Sequence, residues 1–183
     1  MAGWTSASEA AALTAAAPGM TVAVLGGLPL GAGARLRDAV TATGLVVVVA
    51  AAPEAETGGA TLCGVCDAVP LLSHVTDLVV VTPTALTADI ATLADEVRRL
   101  LAPRGRAVAG GPLAAIRALA AALERAALQD VSWEPLDGGA AWLRARGPPL
   151  RHDARWAANR PQYLRRVARW RTSSCCMSSR APW

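Results

Sequence analysis

Four glycines in one short stretch have the type and spacing best suited to ligand binding. They are Gly26, Gly27, Gly31 and Gly33. The stretch follows an apolar, β-branched run at residues 21–25 and leads into a segment with helical spacing at residues 34–43. Because glycine has no Cβ, a ligand can lie against the backbone of such a turn, and the amides at the start of the following helix attract negative or acceptor groups. The stretch therefore predicts a binding site for a ligand that presents such groups.

Two carboxylates follow the next apolar runs and extend this prediction. Glu54 comes after the run at residues 45–49, and Asp67 comes after a third run at residues 61–65. A carboxylate at the end of the second strand of a nucleotide-binding sheet can accept both hydroxyls of a ribose. A carboxylate near the end of the third strand can accept a hydrogen bond from an adenine amino group. The two acids are therefore candidates for binding a nucleoside.

The cysteines and histidines give weaker signals. Cys63 and Cys66 have the C-x-x-C spacing of a zinc or redox pair, but Cys175 and Cys176 are adjacent to each other and more than 100 residues away. Side chains three residues apart in a strand also point in opposite directions. We therefore predict no metal site. His74 stands alone before an apolar run, which is typical of a surface or hydrogen-bonded core histidine, and no residue stands out as a general base.

Short apolar runs alternate with segments of helical spacing along most of the chain. The runs lack polar alternation, as buried parallel strands do. We predict strands at residues 21–25, 45–49, 61–65, 77–81 and 106–109, and helices at residues 8–17, 34–43, 88–101 and 112–128. Residues 131–134 and 140–144, joined through Asp137, Gly138 and Gly139, predict a final antiparallel pair.

This order of elements predicts an α/β fold: a doubly wound, Rossmann-like, mostly parallel sheet with helices on both faces and an antiparallel C-terminal strand pair. Ligands of such sheets bind outside the carboxyl ends of the strands, near the point where the strand order reverses. That edge would bring the glycine turn together with residues 50–54 and 66–68.

Charge divides the chain into an acidic body and a basic tail. The net charge of the 183 residues is +4, but residues 1–143 contribute −5 and residues 144–183 contribute +9. Gly147, Pro148 and Pro149 form a linker signal at the same place. We therefore predict an N-terminal helical extension at residues 1–19, an α/β domain at residues 20–146, and a poorly ordered Arg/Trp-rich tail at residues 147–183.

The tail and the N-terminus bear on partners and location. Arginines interleaved with aromatic residues could bind nucleic acid or an anionic membrane, but residues 172–183 follow no helix or strand period, which favours an irregular segment. Residues 1–19 contain no basic residue, and the uncharged, Val- and Ala-rich stretch at residues 39–53 is too short to span a bilayer. We expect a cytoplasmic protein.

Residues 20–145 resemble a class I S-adenosylmethionine-dependent methyltransferase domain. The resemblance rests on the order of the segments at residues 22–33, 65–70, 77–81, 96–106 and 123–131. It implies S-adenosylmethionine as the cofactor, bound by the four glycines of the turn. It also implies that Asp67 and the following Ala68 lie at the adenine, with Glu54 as the nearest acid for the ribose. The methyl acceptor is not identified by the sequence.

Several positions depart from the pattern of that family. Val24 stands where the family has an acid two residues before the first glycine, and residues 50–52 are alanines where the ribose-binding acid is expected. Pro29 removes one backbone donor from the turn. These departures favour an alternative, a catalytically inactive methyltransferase-like scaffold or interaction domain of a larger protein. A nicotinamide-dependent oxidoreductase is a third reading, disfavoured because the chain lacks a G-x-G-x-x-G turn.

The chain is also similar to the front part of large bacterial proteins in which a degenerate methyltransferase-like domain precedes a quinoprotein-like β-propeller. That similarity implies a downstream domain of a longer chain as a partner. The irregular composition after residue 171 is equally compatible with a shifted reading frame or a truncated domain.

Overall fold

The computed structural model describes residues 6–29, 31–50, 60–63, 65–66 and 68–148. The chain divides into two units, residues 1–149 and 150–183, and all the described residues belong to the first. The predicted tail beyond residue 148 and the two acids Glu54 and Asp67 lie outside the described residues.

Within the described residues, seven strands form one sheet. They are β1 (Thr21–Leu25), β2 (Leu45–Ala50), β3 (Ala60–Cys63), β4 (Thr76–Val81), β5 (Leu101–Pro112), β6 (Gln129–Pro135) and β7 (Ala140–Arg146). Their spatial order is β3-β2-β1-β4-β5-β7-β6. The first five pair in parallel, and β7 is antiparallel to both β5 and β6. The predicted mostly parallel sheet with a final antiparallel pair is confirmed, and the strand order reverses between β1 and β4.

Helices cover both faces of this sheet. The described residues contain α1 (Ser6–Ala15), α2 (Ala32–Val40), α3 (Ile90–Leu100) and α4 (Leu113–Arg125). The first two pack on one face, and the last two pack on the other. None of these helices combines the length and apolar character that a bilayer crossing requires.

Alternate side chains of β1 enter two separate apolar cores. Val22 and Val24 pack with Leu36 of α2, whereas Ala23 and Leu25 pack in the core that contains α3 and α4. All four β1 side chains are fully buried. Because both faces are covered, the strand needs apolar residues at every position, which explains why it reads as an unbroken apolar run.

The start of α2 differs from its predicted position. The helix begins at Ala32 rather than at residue 34, because Gly31 adopts a left-handed conformation with φ of 78° and forms the N-cap. It ends at Val40 rather than at residue 43, because the Thr41 amide donates to the carbonyls of Arg37 and Asp38 and closes the last turn. The glycine turn is therefore shorter than predicted.

The fifth strand is longer than the four residues predicted for it. Leu101 pairs with Thr76 directly after α3, and the regular ladder to β4 resumes at Arg106. Residues 102–105, between the predicted helix at residues 88–101 and the predicted strand at residues 106–109, form a local irregularity within the strand rather than a loop before it. Antiparallel pairing with β7 then extends the strand to Pro112.

An acidic residue fastens β1 to β4 at their amino ends. The backbone N–H of Thr21 donates to Asp77 Oδ2 at 2.8 Å. Asp77 begins the Asp-Leu-Val segment of the family resemblance, so this part of the resemblance reflects a structural contact at the edge opposite the glycine turn.

Candidate functional site at the carboxyl ends of β1 and β2

Gly26, the first residue after β1, is held in a conformation that other residues avoid. Its φ is 90°, and its N–H donates to the carbonyl oxygen of Val49 in β2 at 2.8 Å. A Cβ at this position would lie within 3.0 Å of Thr82 Oγ1, Thr84 Oγ1 and the backbone nitrogen of Ala85. The glycine is thus required by the segment after β4, which approaches the turn closely.

A chain of hydroxyl hydrogen bonds joins that segment to the glycine turn. Thr82 Oγ1 donates its single proton to the carbonyl of Leu25 at 3.0 Å, so Thr84 Oγ1, 2.9 Å away, must donate to Thr82. The N–H of Gly27 in turn donates to Thr84 Oγ1 at 2.9 Å. The turn is therefore fixed by side chains of the strand next to β1, and the Gly27 amide is satisfied within the protein.

The carbonyl of Val49 also brings a second predicted segment to the site. Cys66 Sγ lies 3.8 Å from the Val49 oxygen, and the N–H of Ala68 donates to Val65 O at 3.2 Å in a tight turn. The Gly26 amide bonds the same oxygen. Gly26 and Cys66 therefore lie close together at the carboxyl end of β2.

The remaining glycines belong to the start of α2. Gly31 caps the helix without a side-chain hydrogen bond, and Gly33 is buried in the first turn. Because α2 follows β1 through this turn, its N-terminus lies at the carboxyl end of the sheet. The Ala32 amide donates to the Pro29 carbonyl at 3.0 Å, and the next amides of the first turn have the orientation that suits a negative group of a ligand.

Val24 lies inside the apolar core between the sheet and α2, and it is fully buried. Position 24, where the family has an acid, therefore supplies no carboxylate to the glycine turn. The positions of Glu54 and Asp67, which would supply the other carboxylates, stay predictions.

The structure places His74 away from this edge. Its Nδ1 is 3.0 Å from the Leu101 carbonyl, and its backbone N–H donates to Arg99 O, both next to the amino end of β4. Among the described residues, no group of three or more His, Cys, Asp or Glu side chains is placed to hold a metal ion.

A groove of about 910 Å³ between α1 and the β5–β7–β6 face lies apart from the glycine turn. Its polar side chains largely bond one another: Arg144 Nε donates to Ser132 Oγ at 2.9 Å, and Arg146 pairs with Asp130 at 3.2 Å. The polar side chains of this surface thus have hydrogen-bond or ion-pair partners within the surface itself.

Sequence reasoning missed Thr82 and Thr84. The available signal was a Thr-Pro-Thr sequence directly after the predicted strand at residues 77–81, because that strand ends at the same edge of the sheet. Recognising it required knowing that β4 neighbours β1, which the order of elements along the chain does not specify.

Comparison with known proteins supports the fold. No protein-family model and no curated protein matches the sequence. A SAM-dependent methyltransferase from Aquifex aeolicus matches with a TM-score of 0.58 and 16% identity, over 71% of this chain and 83% of that one. A geranyl diphosphate methyltransferase solved with GPP and sinefungin matches with a TM-score of 0.62 and 12% identity, over 77% of each chain.

The chain therefore has a class I methyltransferase-like fold, and the resemblance found in the sequence is confirmed for the fold. The [4+2]-cyclase SpnF matches as well, with a TM-score of 0.57 and 11% identity, over 78% of this chain and 80% of that one. Identities this low establish the architecture alone, so the reaction has to be argued from the site.

Proposed function

We propose that the chain binds S-adenosylmethionine at the carboxyl ends of β1 and β2 and transfers its methyl group to an acceptor that the sequence does not identify. One observation supports this most directly. In a sheet with this strand order, Gly26 of the glycine turn and Cys66 both contact the Val49 carbonyl, beside the point where the strand order reverses.

The residues at this edge fit the parts of such a cofactor unequally. The uncapped start of α2, with Gly31 and Gly33, suits its carboxylate. Ala68 and the preceding Asp67 are proposed to receive the adenine. Glu54 is proposed for the ribose hydroxyls, because residues 50–52 are alanines. The sulfonium supplies an already electrophilic methyl group, so the protein's contribution is to hold the two substrates in line and to exclude water.

A catalytically inactive domain of the same fold is the second candidate, and one contact favours it. The Gly27 amide, which the resemblance assigns to the cofactor, already donates to Thr84 Oγ1. A ligand that needs this amide would have to displace a hydroxyl. Such a domain would act as a scaffold for a partner, for which a downstream domain of a longer chain is our proposal.

Isothermal titration calorimetry of the full 183-residue chain distinguishes the two candidates. We expect saturable binding of S-adenosylmethionine and of S-adenosylhomocysteine with a micromolar dissociation constant, equivalent to about −8 kcal/mol. Asp67→Ala should abolish this binding. Glu134→Ala is the matched control, because Glu134 is an exposed acid on β6, remote from the glycine turn.

Absence of binding by the wild-type chain, with its circular dichroism spectrum intact, would refute the proposal and support the inactive domain. Binding that Asp67→Ala leaves unchanged would refute the proposed adenine contact. Binding of NADH in place of S-adenosylmethionine would support the oxidoreductase instead.

A further inference from the structure

A partly buried ion pair on α3 lies beneath the segment that follows Ala68. Glu96 is 7% exposed, which is rare for a carboxylate and requires a partner. Arg99, one helical turn later, donates from Nε to Glu96 Oε2 and from Nη2 to Glu96 Oε1, each at 2.6 Å. This is a bidentate ion pair, in which two parallel N–H···O bonds join the guanidinium to the carboxylate.

The same two side chains bind the backbone of the neighbouring loop. The N–H of Val69 donates to Glu96 Oε1 at 2.7 Å. Arg99 Nη2 donates to the Val69 carbonyl at 2.9 Å, and Nη1 donates to the Leu71 carbonyl at 2.7 Å. Both backbone polar groups of Val69 are thus satisfied by α3, in a segment that has no ladder partners of its own.

The loop fixed in this way leads directly to the proposed adenine contact. Val69 follows Ala68 and is two residues from Asp67, so chain connectivity keeps the two α-carbons within about 7 Å of each other. On the other side, Cys66 is anchored at the Val49 carbonyl. The segment is therefore held at two points, one on β2 and one on α3.

We propose that Glu96 and Arg99 are positioning residues that set the adenine end of the cofactor site through the backbone of Val69 and Leu71. The inference rests on the proposed function, because it concerns the same site. Neither side chain is assigned a contact with the cofactor. Arginine is required at residue 99, because a lysine ammonium cannot serve the carboxylate and two carbonyls in one planar arrangement.

The test compares three variants of the full chain: Glu96→Gln, Arg99→Lys and the control Val97→Ala. Val97 is a fully buried neighbour on the same helix that packs in the apolar core, so its truncation lowers stability without removing a loop hydrogen bond. Calorimetry gives the affinity for S-adenosylmethionine at a temperature where every variant is folded. Hydrogen–deuterium exchange of residues 68–75 gives the loop restraint without any cofactor.

We expect faster exchange of this loop and at least about tenfold weaker binding in Glu96→Gln and Arg99→Lys, because small displacements of a binding group cost large factors. Val97→Ala should change neither, although its Tm falls. Unchanged exchange, faster exchange with unchanged affinity, or equal weakening in Val97→Ala would each overturn the positioning role. A wild-type chain that does not bind the cofactor would refute the proposed function itself, a distinct outcome.

Discussion

Replacing Gly26 by alanine should strongly lower the free energy of unfolding, because the added methyl group is unfavourable for two separate reasons. The first is conformational, since φ is 90° and a side chain is disfavoured at such values. The second is steric, since the new Cβ would lie within 3.0 Å of Thr82 Oγ1, Thr84 Oγ1 and Ala85 N. One of these three atoms belongs to the backbone and cannot rotate away.

The magnitude follows from adding these costs. A positive φ costs a non-glycine residue about 1–2 kcal/mol. Overpacking at a filled position costs about 1–3 kcal/mol, and breaking one bond of the hydroxyl chain adds about 1 kcal/mol. We therefore expect a loss of about 3–6 kcal/mol in the free energy of unfolding. This loss corresponds to a fall in Tm on the order of 10 °C for a chain of this length.

Chemical denaturation of the full chain, followed by circular dichroism, measures this loss against Gly138→Ala. Gly138 has a similar φ of 75°, but nothing lies within 4 Å of a Cβ built there. The control should therefore lose only the conformational part, about 1–2 kcal/mol. If the two variants lose the same amount, the close approach of the segment after β4 does not explain the glycine, and the reasoning is refuted.

Two further predictions concern single acids away from the glycine turn. Asp89 caps α3 by accepting from Thr92, whose hydroxyl and then its backbone N–H lower the pKa of Asp89 from its ordinary 3.8. Asp89→Ala should therefore reduce stability at neutral pH. The difference from wild type should shrink as the pH falls through the lowered pKa, because the stability that comes from a depressed pKa is lost there. A Tm difference that does not shrink as the pH falls from neutral into the acid range would contradict this account. Asp77→Ala removes the acceptor of the Thr21 amide and should cost about 1–3 kcal/mol in chemical denaturation. It should leave cofactor affinity unchanged in calorimetry, because Asp77 lies at the amino edge, and a large loss of affinity would count against that separation.

Most of the sheet could be predicted because its central strands are buried on both faces. The run from Val22 to Leu25 contains no polar residue. The predicted and observed bounds of β1, residues 21 and 25, coincide. Where a boundary depends on tertiary pairing, the prediction was wrong. Residues 102–105 lie between a predicted helix and a predicted strand, yet pairing of Leu101 with Thr76 makes them part of one long strand.

The candidate site could be predicted only in part. Periodicity and glycine spacing predicted that the glycine turn and residues 66–68 lie at one edge of the sheet, and in the structure Gly26 and Cys66 both contact the Val49 carbonyl. The contacts of Thr84 with Gly27 and of Glu96 with Val69 join residues 57 and 27 positions apart. Such pairings follow from the three-dimensional arrangement, and no local pattern in the sequence encodes them.

The two central strands are fastened by side chains at both of their ends. Asp77 bonds the first residue of β1 at one end, and Thr82 bonds the Leu25 carbonyl at the other. Parting these strands would break both side-chain bonds in addition to the backbone ladder between them. Any opening that admits a ligand must therefore come from the connecting segments beyond the strand tips, while the middle of the sheet remains closed.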